Sequence, residues 1–318
     1  MIFSRTKFIC VLFLFSILLT GCGENKDAME KVQEKEKIQD VDYCDEVSIK
    51  ENEKIVYNIY KEKLGIYNKQ DYSWHVLYEE EEEFAYKING RSDIYTVGNT
   101  SYNHFSIMKN AESGLYKILD IDEKDSIMPF GEYKDEYYFI YNIDDLGGKI
   151  QRKIVKYNNK KLTDVLDLDS QLVASAVVVK DNIYYASYQK DKDYYELYQY
   201  NLKNADVQLI LKDLPTDSLY NLNGNLVWND GQGNILDRKG KVWCKVEEES
   251  DVDYNSEYKL FFCVYPNKKN ALVCDVIHAE NGKILVKAEN FIGYEIDGIT
   301  LSLFCDDGIQ NINLKKGK

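Results

Sequence analysis

Chemistry needs side chains that can be brought together, and this chain offers few obvious sets. His75, His104 and His278 stand far apart, none beside another His, Cys or carboxylate at metal-ligand spacing. Ser-x-x-Lys occurs at Ser4, Ser106, Ser187 and Ser256. So many matches in a lysine-rich chain mark no acyl-transfer site. No Gly-x-Ser-x-Gly elbow exists, and the glycines at 147–148 and 231–233 punctuate strands without opening a helix, as a phosphate loop requires. No catalytic residue is predicted. The cysteine with chemistry of its own is Cys22, closing Leu19-Thr20-Gly21-Cys22. Its thiol can form a thioether, which serine cannot.

What precedes Cys22 fits that chemistry. Residues 1–7 carry Arg5 and Lys7 and no acid, and Phe8–Leu19 is apolar except for Ser16. That run is short of the roughly 20 residues a spanning helix needs and has the layout of a secretory signal. The terminal LTGC resembles the lipobox of bacterial lipoproteins. The resemblance implies a signal peptide at 1–21, a diacylglyceryl group of the palmitate type on Cys22, and a mature chain held on the extracytoplasmic face of the cell membrane. Two acyl chains suffice for stable anchoring. The bias toward Lys, Ile, Asn, Glu and Tyr points to a Gram-positive source. Residues 22–43 are strongly charged, without apolar periodicity, and read as a flexible tether.

Past the anchor, Cys44, Cys244, Cys263, Cys274 and Cys305 remain, an odd number. Cys263 and Cys274 lie five and six residues from the centre of the turn at 266–270, so a disulfide across a hairpin is one expectation and buried free thiols the other. Without Arg5 and Lys7 the chain has 38 bases against 54 acids. That balance argues against nucleic acid and against anionic wall polymers as partners.

From Cys44 on, short β-branched and aromatic runs alternate with Asn, Asp, Gly and Lys turns, and one run recurs. It is KIVYNIY (54–60), DIYTV (93–97), EYYFIY (136–141), NIYYASY (182–188), NLVW (225–228), KLFFCVY (259–265) and ITLSLF (299–304). Hairpin partners follow, as in 64–78, 153–167, 197–211 and 234–246. Short strands at a period near 40 signal propeller blades. The fold class is therefore all-β, a seven-bladed β-propeller over 44–314 with a basic tail at 315–318. Six or eight blades is the alternative. The last unit shows three strands, and the segment Lys37–Tyr43 is the candidate to complete it. The texture resembles the TolB-like and low-density-lipoprotein-receptor-like propellers of clostridial surface lipoproteins, a likeness that implies a fold rather than a ligand. Tyr184, Tyr185, Tyr188, Tyr198, Tyr200 and the three tryptophans are read as packing between blades.

Charge placement discriminates more sharply. The expected connections from outer strand to next inner strand are 79–83, 121–126, 167–170, 212–217, 247–251 and 288–292. They hold 17 acids against Lys124 and Lys212. The predicted rim is Glu79, Glu80, Glu81, Glu82, Glu83, Asp122, Glu123, Asp125, Asp167, Asp169, Glu247, Glu248, Glu249 and Asp251. Such a rim focuses a field that draws cations, either Ca²⁺ or a basic peptide or protein. No firm metal site and no cofactor is predicted. The expected function is non-enzymatic binding at the cell surface. The alternatives are a glycan hydrolase or lyase, which needs two inward carboxylates about 5–10 Å apart, and a structural subunit of an envelope assembly.

Overall fold

The computed structural model describes residues 46–77, 83–99, 104–121, 125–145, 149–158, 160–169, 171–248 and 250–314. The segment Lys37–Tyr43, Cys22, Cys44 and the basic tail lie outside them. The described residues form 27 strands and no helix. A short first strand, β1 (Glu46–Ser48), precedes seven antiparallel sheets. Blade I is β2 (Glu53–Asn58), β3 (Lys63–Asn68) and β4 (Trp74–Val76). Blade II is β5 (Glu83–Lys87), β6 (Ile94–Asn99), β7 (His104–Ala111) and β8 (Gly114–Asp120). Blade III is β9 (Ser126–Tyr133), β10 (Glu136–Asp145), β11 (Lys149–Asn158) and β12 (Lys161–Asp167). Blade IV is β13 (Leu172–Val179), β14 (Asn182–Gln189), β15 (Tyr194–Asn201) and β16 (Val207–Leu214). Blade V is β17 (Leu219–Leu222), β18 (Asn225–Asn229), β19 (Asn234–Asp237) and β20 (Val242–Lys245). Blade VI is β21 (Asp251–Asn255), β22 (Leu260–Pro266), β23 (Leu272–His278) and β24 (Lys283–Glu289). Blade VII is β25 (Phe291–Asp297), β26 (Thr300–Cys305) and β27 (Gly308–Asn313). The chain is a seven-bladed β-propeller.

Each sheet has two faces to cover, and each covers them with its neighbours. Between blades VI and VII the core is Phe262, Val264, Cys274, Val276, Leu301 and Leu303 with their neighbours. Between V and VI it is Tyr220, Val227, Cys244, Tyr254, Phe261 and Cys263. Strand β22 feeds both, which is why its sequence is continuously apolar rather than alternating. The peripheral β16, with exposed Val207, Gln208 and Leu209, shows what a strand outside the core looks like.

The recurring run marks the second strand in six blades, β6, β10, β14, β18, β22 and β26. Its first copy is β2, the leading strand of blade I, which has three strands among the described residues. The expected fourth strand for blade VII is not among the described residues. The described strand nearest the N-terminus, β1, pairs with β8 at the outer edge of blade II. The ring closes by packing of blade VII on blade I through Val56, Tyr67, Ile292 and Phe304, the smallest of seven inter-blade cores. The Tyr67 hydroxyl donates to the Cys305 carbonyl at 2.7 Å and the Gly308 carbonyl at 3.1 Å.

The proposed Cys263–Cys274 disulfide is corrected here. Cys263 pairs with Asp275 and Val264 with Cys274, so the true register is one residue off the turn-centred guess. One residue flips a side chain to the other face. Cys263 lies in the core toward blade V and Cys274 in the core toward blade VII. Cys244, Cys263, Cys274 and Cys305 are all free and buried.

Candidate functional site

Strand order fixes which turns share an end of the ring. In a four-stranded meander the second-to-third turn and the exit from the outer strand lie at one end, and the first-to-second and third-to-fourth turns at the other. From β8 to β25 each exit is short, 121–125 being among the longest and Asn290 the shortest. Successive blades II–VII therefore start at the same end. This is the handover end, and every connection placed there from sequence does run from an outer strand to the next inner strand.

The structure separates the predicted rim residues by distance from the axis. Glu83 opens inner strand β5, Asp125 immediately precedes inner strand β9, and Asp251 opens inner strand β21. Asp169, Glu247 and Glu248 lie within the connections, and Asp167 ends the outer strand β12. Asp125 is buried and accepts the Tyr141 hydroxyl at 2.5 Å. Asp167 and Asp169 are exposed, with the Asp169 amide donating to the Asp167 carboxylate at 2.9 Å. Glu247 and Glu248 are exposed. Glu79, Glu80, Glu81, Glu82, Asp122, Glu123 and Glu249 lie outside the described residues, as does the Glu83 side chain. Among the described residues no three His, Cys, Asp or Glu side chains converge to hold a metal ion. His75 is exposed, and His278 is half-buried, its Nδ1 accepting the Glu280 amide at 3.3 Å.

A second polar group, not foreseen from sequence, sits among the inner strands. Asp253 of β21 is fully buried and pairs with Lys87 of β5, itself nearly buried. These residues belong to blades VI and II, with VII and I between them. Tyr294 of blade VII donates to Asp253 Oδ2 at 2.6 Å. Lys87 Nζ lies 4.9 Å from the Tyr294 ring centre and 5.6 Å from that of Tyr57 in blade I. Tyr294 stacks on Phe262 at 3.6 Å between ring centres. Burial, then the Asp253 charge, pushes the Tyr294 hydroxyl well above its ordinary range, so it stays a donor. Four successive blades are thereby joined across the closing seam.

The loop after β5 completes this group. Gly90 donates its amide to Asp253 Oδ1 at 2.6 Å and its carbonyl accepts from Asn255 at 3.0 Å. Its φ of +72° and a would-be Cβ 2.2 Å from the Tyr254 carbonyl oxygen both require glycine. On the other side Arg91 pairs with Glu132 of blade III and with Asp93, which also accepts the Tyr137 hydroxyl at 2.8 Å. Burial alone would raise Asp93, but the Arg91 and Tyr137 hydrogen bonds hold its carboxyl below the usual range. Loop 88–93 is thus fastened to blades III and VI at the end opposite the handover end.

No protein-family model matches the chain, and no curated protein sequence matches it. Among solved structures it is similar to TolB from Acinetobacter baumannii at 10% identity and a TM-score of 0.49, over 76% of this chain and 64% of that one. It is also similar to BamB from Moraxella catarrhalis, at 10% identity and a TM-score of 0.41, over 84% of this chain and 98% of that one. A third is the oligogalacturonate lyase of Vibrio parahaemolyticus, at 10% identity and a TM-score of 0.45, over 78% and 82%. The likeness is one of fold, and the chain spans 64% of the length of the TolB it matches.

Proposed function

We propose that this chain is a lipid-anchored, extracytoplasmic propeller that binds a basic peptide or protein through its handover end, without catalysing a reaction. The observation that carries this reading is the concentration of acids in the connections between outer and inner strands, 17 against two lysines by sequence. Carboxylates at the starts of inner strands lie nearest the axis, where low-dielectric walls strengthen their joint field. The Cys22 motif supplies the address, and the polar tether supplies clearance from the headgroups. A hydrolase would need a free pair of inward carboxylates. Asp253, the carboxylate most deeply set among the inner strands, is instead held by Lys87, Tyr294, Gly90 and the Tyr254 amide, 2.9 Å away.

Calorimetry with a lysine- and arginine-rich peptide tests the reading. Affinity should fall as salt rises and weaken when Glu247, Glu248 and Glu249 become Gln. Salt-independent binding, or binding indifferent to those substitutions, would count against it. Mass spectrometry of the membrane fraction should find the diacylglyceryl group on Cys22.

A further inference from the structure

The end opposite the acids has its own pattern. Among the described residues of blades II–VII the large apolar side chains left more than a third exposed all belong to that opposite end, whereas in blade I exposed Tyr60 lies in the β2–β3 turn at the handover end. Tyr116, Val207, Leu209, Val242, Ile284 and Leu285 fall in the first three residues of outer strands, and Ile299 in the turn from β25 to β26. In blade VI a register shift opposite Val276 and Ile277 leaves Ile284 and Leu285 adjacent and both outward. Exposed bases stand between these side chains, Lys203 in blade IV, Arg238, Lys239 and Lys241 in blade V, and Lys283 in blade VI; exposed Asp206 and Glu280 share the turns of blades IV and VI and Lys203 pairs with Asp181, so the excess of base lies in the blade V turn. Strand β1 also ends here, its Ser48 pairing with Gly114 at the start of β8.

We propose that this apolar end, with its basic blade V turn, rests on the surface of an anionic membrane, so that the acidic end points away from the bilayer. Isolated apolar residues on a surface need no explanation. A set gathered mainly at one end, beside the Arg238–Lys241 turn and opposite a concentration of carboxylates, has the amphipathic character of a membrane-facing surface. Anionic headgroups favour that orientation twice, by attracting the bases and repelling the acids. The proposal rests on the lipid anchor at Cys22, because modest contacts suffice once the chain is held beside the bilayer.

The lipidated full chain, with Cys44 replaced by serine, is placed on phosphatidylcholine–phosphatidylglycerol vesicles carrying nitroxide lipids. A fluorophore is attached at Asn281→Cys, in the turn before β24, or at Asp191→Cys, in a turn of the handover end. Quenching at position 281 is expected to exceed that at 191 several-fold; equal or reversed quenching overturns the orientation. The unlipidated C22S chain should also sediment with such vesicles. Each of R238Q, K239Q and K241Q should weaken that binding about fivefold, and V242S with I284S should weaken it further. Unchanged binding in these variants overturns the proposal, as does salt-resistant self-association abolished by V242S and I284S, which would assign the face to a second copy. An unacylated Cys22 in a chain that stays in the soluble fraction sinks the anchor instead, a result read by mass and fractionation alone.

Discussion

Among the described residues Asp253 and Lys87 form the most deeply buried ion pair. Removing Lys87 leaves a carboxylate with no water to solvate it, and breaking such a pair costs about 3–5 kcal/mol. K87M should therefore lower the urea midpoint sharply, whereas K87M combined with D253L should regain much of the loss; equal loss in both would show that packing, not charge, dominates. Gly90→Ala tests the same group from the loop side, combining a strained φ with a clash against the Tyr254 carbonyl. Asp93 gives the pH dependence. Its folded value lies below the ordinary one, so its contribution is complete above about pH 4 and fades as pH falls toward the folded value. D93N should cost of order 1 kcal/mol at pH 6 and leave the acid limb of the stability curve flatter than in the parent. None of these partnerships was legible in sequence, because Lys87 and Asp253 are 166 positions apart and nothing local marks them as facing.

At the scale of elements the weak point is the seam between blades VII and I. Many rings close by sharing a sheet between the chain ends, but among the described residues β2 and β25 belong to separate sheets. Beyond the Lys87–Asp253–Tyr294 group, the seam depends on a small core, a Lys54–Glu295 pair at 2.9 Å and the Tyr67 hydroxyl. Burial pushes that hydroxyl up to about 12, which keeps it a donor. Y67F should cost about 1–2 kcal/mol and speed amide hydrogen exchange in blades I and VII before blade IV; a uniform increase around the ring would refute a local seam. The repeat in the sequence revealed the blades because β22, β26 and their equivalents must be apolar on two faces. It did not reveal register, since pairing Cys263 with Cys274 or with Asp275 differs by one residue in a five-residue turn. Thiol reagents should find Cys244, Cys263, Cys274 and Cys305 unreactive until denaturant is added, and reduction should leave stability unchanged.

At the scale of the whole molecule, acids gathered at one end repel one another, and exposed charges are screened by salt far more than buried pairs. The connections were legible in sequence because turn residues and strand parity locate them without knowledge of any contact. Their spread from the axis was not, since it depends on whether an acid opens an inner strand, as Asp251 does, or ends an outer one, as Asp167 does. Exposed Glu247 and Glu248 share a single connection, so their neutralisation should relieve repulsion without disturbing a core. E247Q with E248Q should raise the melting temperature at low ionic strength, by no more than about 0.5 kcal/mol of stability. The gain should vanish at high salt, where the parent rises to meet the variant. The matching change at the opposite end, K239Q with K241Q, should show no such salt-dependent gain. If both pairs behave alike, the charge is not segregated between the two ends, and a ring of this net charge would then present the same field to a partner and to a membrane.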